Sequence, residues 1–194
     1  MPSDVISGRV IGAVVPDPRR AGSVRVMVDG RPLLTVPRDV AERERLGPGL
    51  PLEEPLLTRL GRAADEEAAF RTALRLLERR PFAARDLARR LVLKGHSPDA
   101  ADAARCRATE LGLLDDRRFS AGFVETRAQR GRGPMRLRRD LAVLGVERAV
   151  IDGAIAEVFG ADGADAPQAD ALARRRIAQL RGLSRTVQRR RLLA

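Results

Sequence analysis

The sequence predicts a mainly α-helical protein in which tandem three-helix repeats follow a small N-terminal antiparallel β region. Three observations support this: apolar residues recur at helical spacing from about residue 65 onward, the pattern returns after about 50 residues, and alternating valines precede an Asp-Gly turn. Apolar residues make up 44% of the 194 and charged residues 32%, which is typical of a folded protein. Aromatic residues account for only 3%, so we expect a core of leucine, valine, isoleucine and alanine.

Residues 1–60 carry the strand signals. Arg9–Val15 is an apolar strand candidate, and Ser23–Val28 alternates apolar and other residues. Asp29-Gly30 follows directly and is a strong hairpin signal, so Pro32–Val36 is expected to form the second arm. The sequence therefore predicts an antiparallel sheet of about three strands. Two short helical segments are expected after it: residues 37–45 and residues 53–60.

Residues 61–112 are predicted to form a first repeat of three helices. The first helix ends before Pro81, and the second contains Leu87 and Leu91 and ends at Gly95, which is typical of a glycine C-cap. The third helix begins with Ser97 as its N-cap, followed by a proline at the first helical position, and runs to about residue 111.

Residues 113–160 repeat this order. Phe119 corresponds to Phe70, 49 residues earlier, and three further positions correspond at a distance of 50: Leu137, Leu141 and Gly145. We expect Asp115 or Asp116 to cap the first helix of this second repeat and Pro134 to begin the second. A small polar linker, residues 161–167, leads to a partial third repeat over residues 165–194, which ends before its third helix.

Composition excludes several classes of function. No apolar run reaches the length of a membrane helix, and the N-terminus lacks the pattern of a signal peptide, so we expect a cytoplasmic protein with no membrane partner. The single cysteine, Cys106, cannot form an internal disulfide. The single lysine, Lys94, is not part of a phosphate-binding loop, and no nucleophile-elbow motif occurs. We therefore expect no enzymatic activity and no cofactor.

The net charge of +11 favours a polyanionic partner. A run of thirteen residues, 127–139, contains six arginines and no acidic residue, and flanks a Gly-Arg-Gly-Pro turn. These candidate binding residues are Arg127, Arg130, Arg132, Arg136, Arg138 and Arg139. Such a turn can bring guanidinium groups and backbone N–H groups close to phosphates or carboxylates. The alternative is a solvated face of an arginine-rich protein.

A second basic cluster lies in residues 164–194, which carry eight basic and two acidic residues and so contribute +6 of the net charge. Its arginines are Arg174, Arg175, Arg176, Arg181, Arg185, Arg189, Arg190 and Arg191. Non-specific phosphate contact fits this composition, and a solvated terminus fits it equally well.

Three other features have simpler structural interpretations. Asp115 and Asp116 could be read as metal ligands, but two adjacent carboxylates at the start of a helix are more typical of capping. His96 follows a glycine cap and is expected to be a turn residue rather than a ligand. Cys106 lies among alanines and is expected to be a small packed residue.

Five segments follow one another at characteristic distances along the chain. They are Val26–Gly30 (VMVDG), Ala73–Arg80 (ALRLLERR), Asp86–Leu91 (DLARRL), Leu111–Phe119 (LGLLDDRRF) and Gly133–Leu141 (GPMRLRRDL). Their order resembles that of the RecX family of regulators of the RecA recombinase. The order and spacing of the five segments together carry the resemblance. The resemblance covers nearly the whole chain, apart from a shortened third repeat and aliphatic residues at positions that are aromatic in the family.

The resemblance implies an elongated, curved array of three-helix repeats without catalytic residues. It also implies a monomer that binds the RecA filament on single-stranded DNA and restrains strand exchange, ATP hydrolysis and co-protease activity in DNA recombination and repair. An alternative hypothesis is a protein that binds single- or double-stranded DNA directly and without sequence specificity, because arginine-bearing helix triplets can contact a groove. No helix carries the mixture of asparagine, glutamine and arginine that is typical of base reading.

Overall fold

The computed structural model describes residues 9–160, and the partial third repeat and the tail arginines lie outside this range. The described residues divide into two compact units, residues 9–114 and residues 115–160. The strands and helices, in chain order, are β1 (Ala13–Pro16), β2 (Ser23–Val28), β3 (Arg31–Pro37), α1 (Arg38–Arg43), α2 (Glu54–Leu77), α3 (Ala84–Leu93), α4 (Pro98–Glu110), α5 (Asp116–Ala128), α6 (Pro134–Leu144) and α7 (Arg148–Phe159). The predicted fold class, mainly helical with a small N-terminal antiparallel sheet, is confirmed.

The sheet is an antiparallel meander in the order β1-β2-β3. Asp29 and Gly30 connect β2 to β3 with φ angles of 51° and 72°. Two consecutive positive φ angles are typical of the type I′ turn, whose twist matches that of the flanking strands. The predicted hairpin is therefore confirmed at the Asp-Gly position.

The first strand is shorter than expected, because β1 begins at Ala13 rather than at Arg9. The preceding residues pair instead with the loop before α2: Ile11 N–H donates to Leu50 O at 2.9 Å, and Leu52 N–H donates to Arg9 O at 2.8 Å. Ile11 and Leu52 are fully buried as a result. This pairing joins residues about 40 positions apart, so the local alternation of residues 9–15 could not indicate where β1 begins.

Helix α2 is continuous over 24 residues. It replaces the two helical segments expected around residues 53–60 and from residue 65, so the expected domain boundary after residue 60 falls inside a helix. A helix of this length spans about 36 Å. Gly61 disfavours helix locally by about 1 kcal/mol, but Leu60 before it and Ala69 after it are both fully buried on the helix. The burial of apolar side chains before and after Gly61 outweighs the low helix propensity of the glycine, so α2 continues through it.

The two halves of α2 belong to different hydrophobic cores. Leu56 and Leu60 pack with valines of the sheet, among them Val26 and Val36, in the first core. Phe70 and residues near it pack in the second core with side chains of α3 and α4. The other buried residues of the first repeat in this core are Ala69, Ala73, Phe82, Leu87, Leu91, Ala100, Ala101, Ala104 and Ala108. The first helix of the first repeat is thus also a supporting helix of the sheet.

Asp65, midway along α2, joins that helix to the turn between α3 and α4. Its Oδ2 accepts hydrogen bonds from Ser97 N–H at 2.9 Å and from Ser97 Oγ–H at 2.6 Å. Its Oδ1 lies 2.8 Å from His96 Nδ1, and His96 Nε2 lies 3.1 Å from Thr72 Oγ1. Burial tends to raise the pKa of Asp65, but the hydrogen bonds from Ser97 and His96 outweigh burial and lower the pKa below its usual 3.8.

The second unit repeats the local design with α5, α6 and α7. Asp115 is the N-cap of α5 and accepts hydrogen bonds from the backbone N–H groups of Arg117 and Arg118, at 2.9 and 3.0 Å. The Arg118 N–H in particular lowers the pKa of Asp115. Gly145 ends α6 with a φ angle of 86°, as Gly95 follows α3 with a φ angle of 94°. The predicted caps and the 50-residue correspondence are confirmed here.

Buried side chains of all three helices form the core of the second unit. Among the described residues they include Val124, Leu137, Leu141, Ile151, Ile155 and Phe159. Ser120 on α5 is also fully buried, and its hydroxyl has no hydrogen-bond partner among the described residues. Across residues 9–160, no helix combines the length and the apolar character that a membrane crossing requires.

The Asp65 contacts predict a pH-dependent contribution to stability. Asp65→Asn should lower the free energy of unfolding by about 1–2 kcal/mol at neutral pH, because a partly buried charged acceptor is lost. Since the pKa of Asp65 is lower in the folded state, its contribution is present above the unfolded value near 3.9 and is lost as pH falls through the folded value. Urea unfolding should be measured at about pH 7 and about pH 3. The difference in the free energy of unfolding between wild type and Asp65→Asn should be smaller at the lower pH.

Asp39→Asn, at an exposed position in the first turn of α1, is the matched control. It should change the free energy of unfolding by less than about 0.5 kcal/mol at neutral pH. This account would be contradicted if the difference in the free energy of unfolding between wild type and Asp65→Asn increased as the pH falls.

Two serine substitutions should have opposite effects. Ser120→Ala removes an unpartnered buried hydroxyl, so we expect the free energy of unfolding to stay unchanged or rise by up to about 1 kcal/mol. Ser97→Ala removes the N-cap of α4 and a hydrogen bond to Asp65. We therefore expect this substitution to lower the free energy of unfolding by about 1–2 kcal/mol. Denaturant unfolding of both variants measures this, and a loss at Ser120 as large as at Ser97 would contradict the assignment.

Candidate partner-binding surface

The α5–α6 arginine cluster, Arg127, Arg130, Arg132, Arg136, Arg138 and Arg139, lies on one helix-turn-helix segment. Helix α5 ends at Ala128, and Pro134 begins α6. Between them, Gly131 adopts a φ angle of 81°, and the N–H of Arg132 donates to Arg127 O at 3.0 Å. The first turn of α6 contains no acidic residue. The turn therefore concentrates positive charge at the start of α6.

Three arginines of this cluster are engaged within the second unit. The Arg127 guanidinium stacks 3.6 Å from the centre of the Phe123 ring, and that ring lies 5.7 Å from the ring of Phe119. Arg132 pairs with Asp140 at 2.8 Å, and Arg138 Nε pairs with Asp152 Oδ1 at 3.2 Å. These three side chains support the fold as well as adding charge. Arg127 and Arg138 are also only half exposed, although the sequence suggested an exposed face.

The other three arginines, Arg130, Arg136 and Arg139, are exposed. None of them forms an ion pair within residues 9–160. A guanidinium group without an internal carboxylate can bind a phosphate or a carboxylate of a partner through two hydrogen bonds. The exposed half of the cluster is therefore the part that is available for binding.

A corresponding basic turn joins α2 to α3 in the first unit, and sequence reasoning did not single it out. Its arginines are Arg79, Arg80, Arg85, Arg89 and Arg90. Asp86, whose side chain is only 13% exposed, lies 3.0 Å from Arg90, 3.9 Å from Arg80 and 4.0 Å from Arg89. Arg80 also stacks over the Phe82 ring at 3.8 Å. The 50-residue correspondence of Arg80 with Arg130 and of Arg89 with Arg139 was the signal that could have found this turn.

The remaining sequence candidates have structural roles. Asp115 caps α5, as expected, and the described residues contain no group of three or more potential metal ligands. Asp65, His96 and Thr72 follow one another by hydrogen bonds in the order of a hydrolase triad. The Thr72 hydroxyl, however, donates to Ala68 O at 2.9 Å and also accepts from Arg75 at 3.1 Å. The arrangement is thus a contact between α2 and the α3–α4 turn, and His96 is the turn residue that the sequence indicated.

The two helical triplets match known protein domains. The sequence model described as "RecX, first three-helix domain" matches residues 69–106, and that described as "RecX, second three-helix domain" matches residues 115–155. A protein named "Regulatory protein RecX" from Xanthomonas oryzae pv. oryzae (strain MAFF 311018) is 40% identical over 108 residues, which cover 56% of this chain and 67% of the relative. The chain belongs to the RecX family.

Other RecX relatives show similar coverage. The protein from Xanthomonas axonopodis pv. citri (strain 306) is 40% identical over 108 residues, 56% of this chain and 66% of the relative. The protein from Halorhodospira halophila is 43% identical over 89 residues, 46% of this chain and 55% of the relative. The matched region therefore spans about two thirds or less of the length of these relatives. All three carry the name "Regulatory protein RecX".

Two solved structures share the fold. A crystal structure of regulatory protein RecX aligns with a TM-score of 0.73 at 20% identity and covers 94% of this chain and 89% of its own. The crystal structure of RecX from Lactobacillus salivarius aligns with a TM-score of 0.55 at 16% identity, over 66% of this chain and 82% of its own. The α5–α6 arginine cluster and the basic turn between α2 and α3 both lie within the matched RecX domains.

The two classes of arginine in the cluster should respond differently to substitution. Arg127→Ala should lower the free energy of unfolding by about 0.5–1 kcal/mol, because it removes a cation–π contact and covering of the Phe123 ring. Arg130→Ala, three residues further on and exposed, should change it by less than about 0.5 kcal/mol. Urea denaturation followed by circular dichroism measures both, and equal effects would show that the Phe123 contact does not contribute.

Proposed function

We propose that this RecX-family chain regulates RecA by binding the RecA filament on single-stranded DNA. The expected effect is a lower rate of strand exchange, ATP hydrolysis and co-protease activity, without a reaction catalysed by the chain itself. The observation that carries the proposal is the exposed set Arg130, Arg136 and Arg139 within the matched second RecX domain. A filament of protein on DNA offers both carboxylates and phosphates to such a set.

The absence of catalysis is part of this proposal. Both ring nitrogens of the single histidine, His96, lie within hydrogen-bond distance of neighbours inside the first unit. Cys106 lies on α4, whose buried residues are alanines. The Nη2 atom of the neighbouring Arg105 is 3.2 Å from the Cys106 sulfur. The naming of the relatives as regulatory proteins agrees with a binding role. We therefore expect the chain alone to hydrolyse no ATP.

Direct, non-specific DNA binding is a second candidate, favoured by the recurrence of a basic turn in both units. The two candidates differ in what they predict for naked DNA. A plain DNA binder should lose about 0.7–0.9 units of salt slope for each phosphate contact that is removed. A filament regulator should lose affinity mainly for RecA-coated DNA.

The test is a triple variant, Arg130→Ala, Arg136→Ala and Arg139→Ala. Each charge-assisted contact contributes about 1.5–3 kcal/mol, so losing even one of them should lower affinity for the RecA filament about ten- to a hundredfold. Inhibition of strand exchange and of filament ATP hydrolysis should weaken in parallel. Binding to RecA-coated and naked single-stranded DNA should be measured side by side over a range of salt concentrations.

The matched control is Arg31→Ala, Arg38→Ala and Arg45→Ala, which removes the same charge from exposed positions outside both basic turns. The control should inhibit RecA as wild type does. Equal losses in both triple variants would indicate a general effect of net charge. A folded Arg130/Arg136/Arg139 variant that inhibits RecA normally would show that the cluster is a solvated face, and wild type without any effect on RecA would overturn the proposed function.

A further inference from the structure

Helices α6 and α7 border an open groove of about 920 Å³ on the surface of the second unit. Apolar or small residues contribute most of its lining: Met135, Ala142, Val146, Ile151, Gly153 and Ala156. Val146 and Ile151 are 6% and 5% exposed and form its base, whereas Met135 is 75% exposed. The groove is large enough for side chains of a second molecule.

Small residues on α7 keep the groove open. Gly153 has no side chain, and a Cβ atom added there would meet no atom within 4 Å. Ala156, three residues further along, lies on the same side of the helix and also lines the groove. Small side chains at this spacing let the backbone of a second helix approach closely. The corresponding residues of the first repeat, 50 positions earlier, are Ala103 and Cys106, which are also small.

Met135 is the exposed apolar side chain at the groove. Its counterpart 50 residues earlier is Arg85, so the first repeat places a charge where the second places a thioether. Methionine is unbranched and adapts to different apolar partners, and it is common at surfaces that bind helices. Met135 therefore gives the edge of the groove an adaptable apolar contact for a bound molecule.

The charged rim of the groove is basic. Arg138 Nε and Arg148 Nε approach the two oxygens of Asp152 at 3.2 and 3.6 Å, and Asp152 is the single acidic residue among those that line the groove. Arg148 is 95% exposed in its side chain. Two guanidinium groups thus share one carboxylate, so the rim keeps a net positive charge. Carboxylates on a bound partner would complement this rim.

We propose that the α6–α7 groove binds an amphipathic helix of a partner protein, with an apolar stripe flanked by aspartate or glutamate residues. The apolar stripe would contact Met135, Ile151 and the open space beside Gly153. The acidic flanks would contact Arg148, whose side chain is 95% exposed. Helix α6 has 11 residues, which corresponds to a length of about 16 Å and to about three turns of a bound helix. This contact is separate from the filament contact proposed for Arg130, Arg136 and Arg139.

The experiment uses the full chain with isotope-labelled methionine methyl groups. The chain contains three methionines, and Met27 lies on the sheet of the first unit, so it serves as an internal reference. The probe is a synthetic helical peptide of about 14 residues with leucines at positions i, i+3, i+4 and i+7 and glutamates beside them. We expect the Met135 methyl resonance to shift with saturable, sub-millimolar affinity and the Met27 resonance to stay unchanged.

Variants and control peptides distinguish the elements of the proposal. Met135→Asp and Arg148→Glu should each weaken binding of the peptide at least about tenfold. Fluorescence anisotropy of the labelled peptide measures the affinity of both variants. Val143→Asp is the matched control, because Val143 lies on the same helix with 64% exposure and does not line the groove. It should bind the peptide as wild type does. A peptide with lysines in place of the glutamates should bind at least about tenfold more weakly.

Four outcomes would overturn the inference. The first is no Met135 shift up to about 1 mM peptide, an affinity too weak for a specific site. The second is equal binding of the lysine peptide. The third is a Met135 shift with oligothymidine but not with the acidic peptide, which would assign the groove to nucleic acid. The fourth is a Met135 shift caused by Leu172→Asp in the full chain without peptide, which would assign the groove to the chain's own C-terminal segment. The Arg130/Arg136/Arg139 triple variant should bind the peptide as wild type does. This result separates the inference from the proposed RecA function, which the triple variant should lose.

Discussion

Helix α2 supplies a wall to each of two cores, and the organisation of the first unit depends on its continuity. Its first half packs on the sheet through Leu56 and Leu60, and its second half packs on α3 and α4 through Ala69 and Phe70. Polar contacts fix its position along its length. Arg59 pairs with Glu44 at 2.8 Å, and Arg71 NH2 donates to the buried Ser23 hydroxyl at 2.8 Å. A break in α2 would therefore separate the sheet from the first RecX domain.

The Asp65 contacts hold the first three-helix domain together at the point where its own helices turn. One carboxylate accepts from the N-cap Ser97 and contacts His96, so α4 begins at a position determined by α2. In the second unit, the residue that corresponds to His96 is Val146, which follows the glycine cap of α6. Val146 is only 6% exposed. The same backbone pattern is thus stabilised by a polar contact in one domain and by apolar burial in the other.

The two domains also use their arginines differently, although their turns correspond. In the first, Asp86 lies among Arg80, Arg89 and Arg90. In the second, the corresponding residue is Arg136, so a positive charge stands where the first domain has a carboxylate. The second domain also opens the α6–α7 groove, which is lined by Met135 and by Arg138 of the arginine cluster. Surface chemistry therefore distinguishes two domains whose helices follow one template, and the second carries the features that favour binding.

The sequence alone determined the elements whose signals are local. The Asp29-Gly30 turn, the glycine caps after α3 and α6, the Ser97 cap and the 50-residue recurrence each depend on residues within a few positions, since capping and helical periodicity are short-range effects. The six-arginine run was also visible from the sequence. Tertiary structure decided the rest, because it depends on residues distant in the chain. Pairing with residues 49–52 shortened β1, and burial on both sides of Gly61 made α2 continuous. Only the placement of Phe123, Asp140 and Asp152 separated the arginines that support the fold from the three without an ion pair in residues 9–160. The energy of an ion pair depends on distance in space and not on spacing in the sequence.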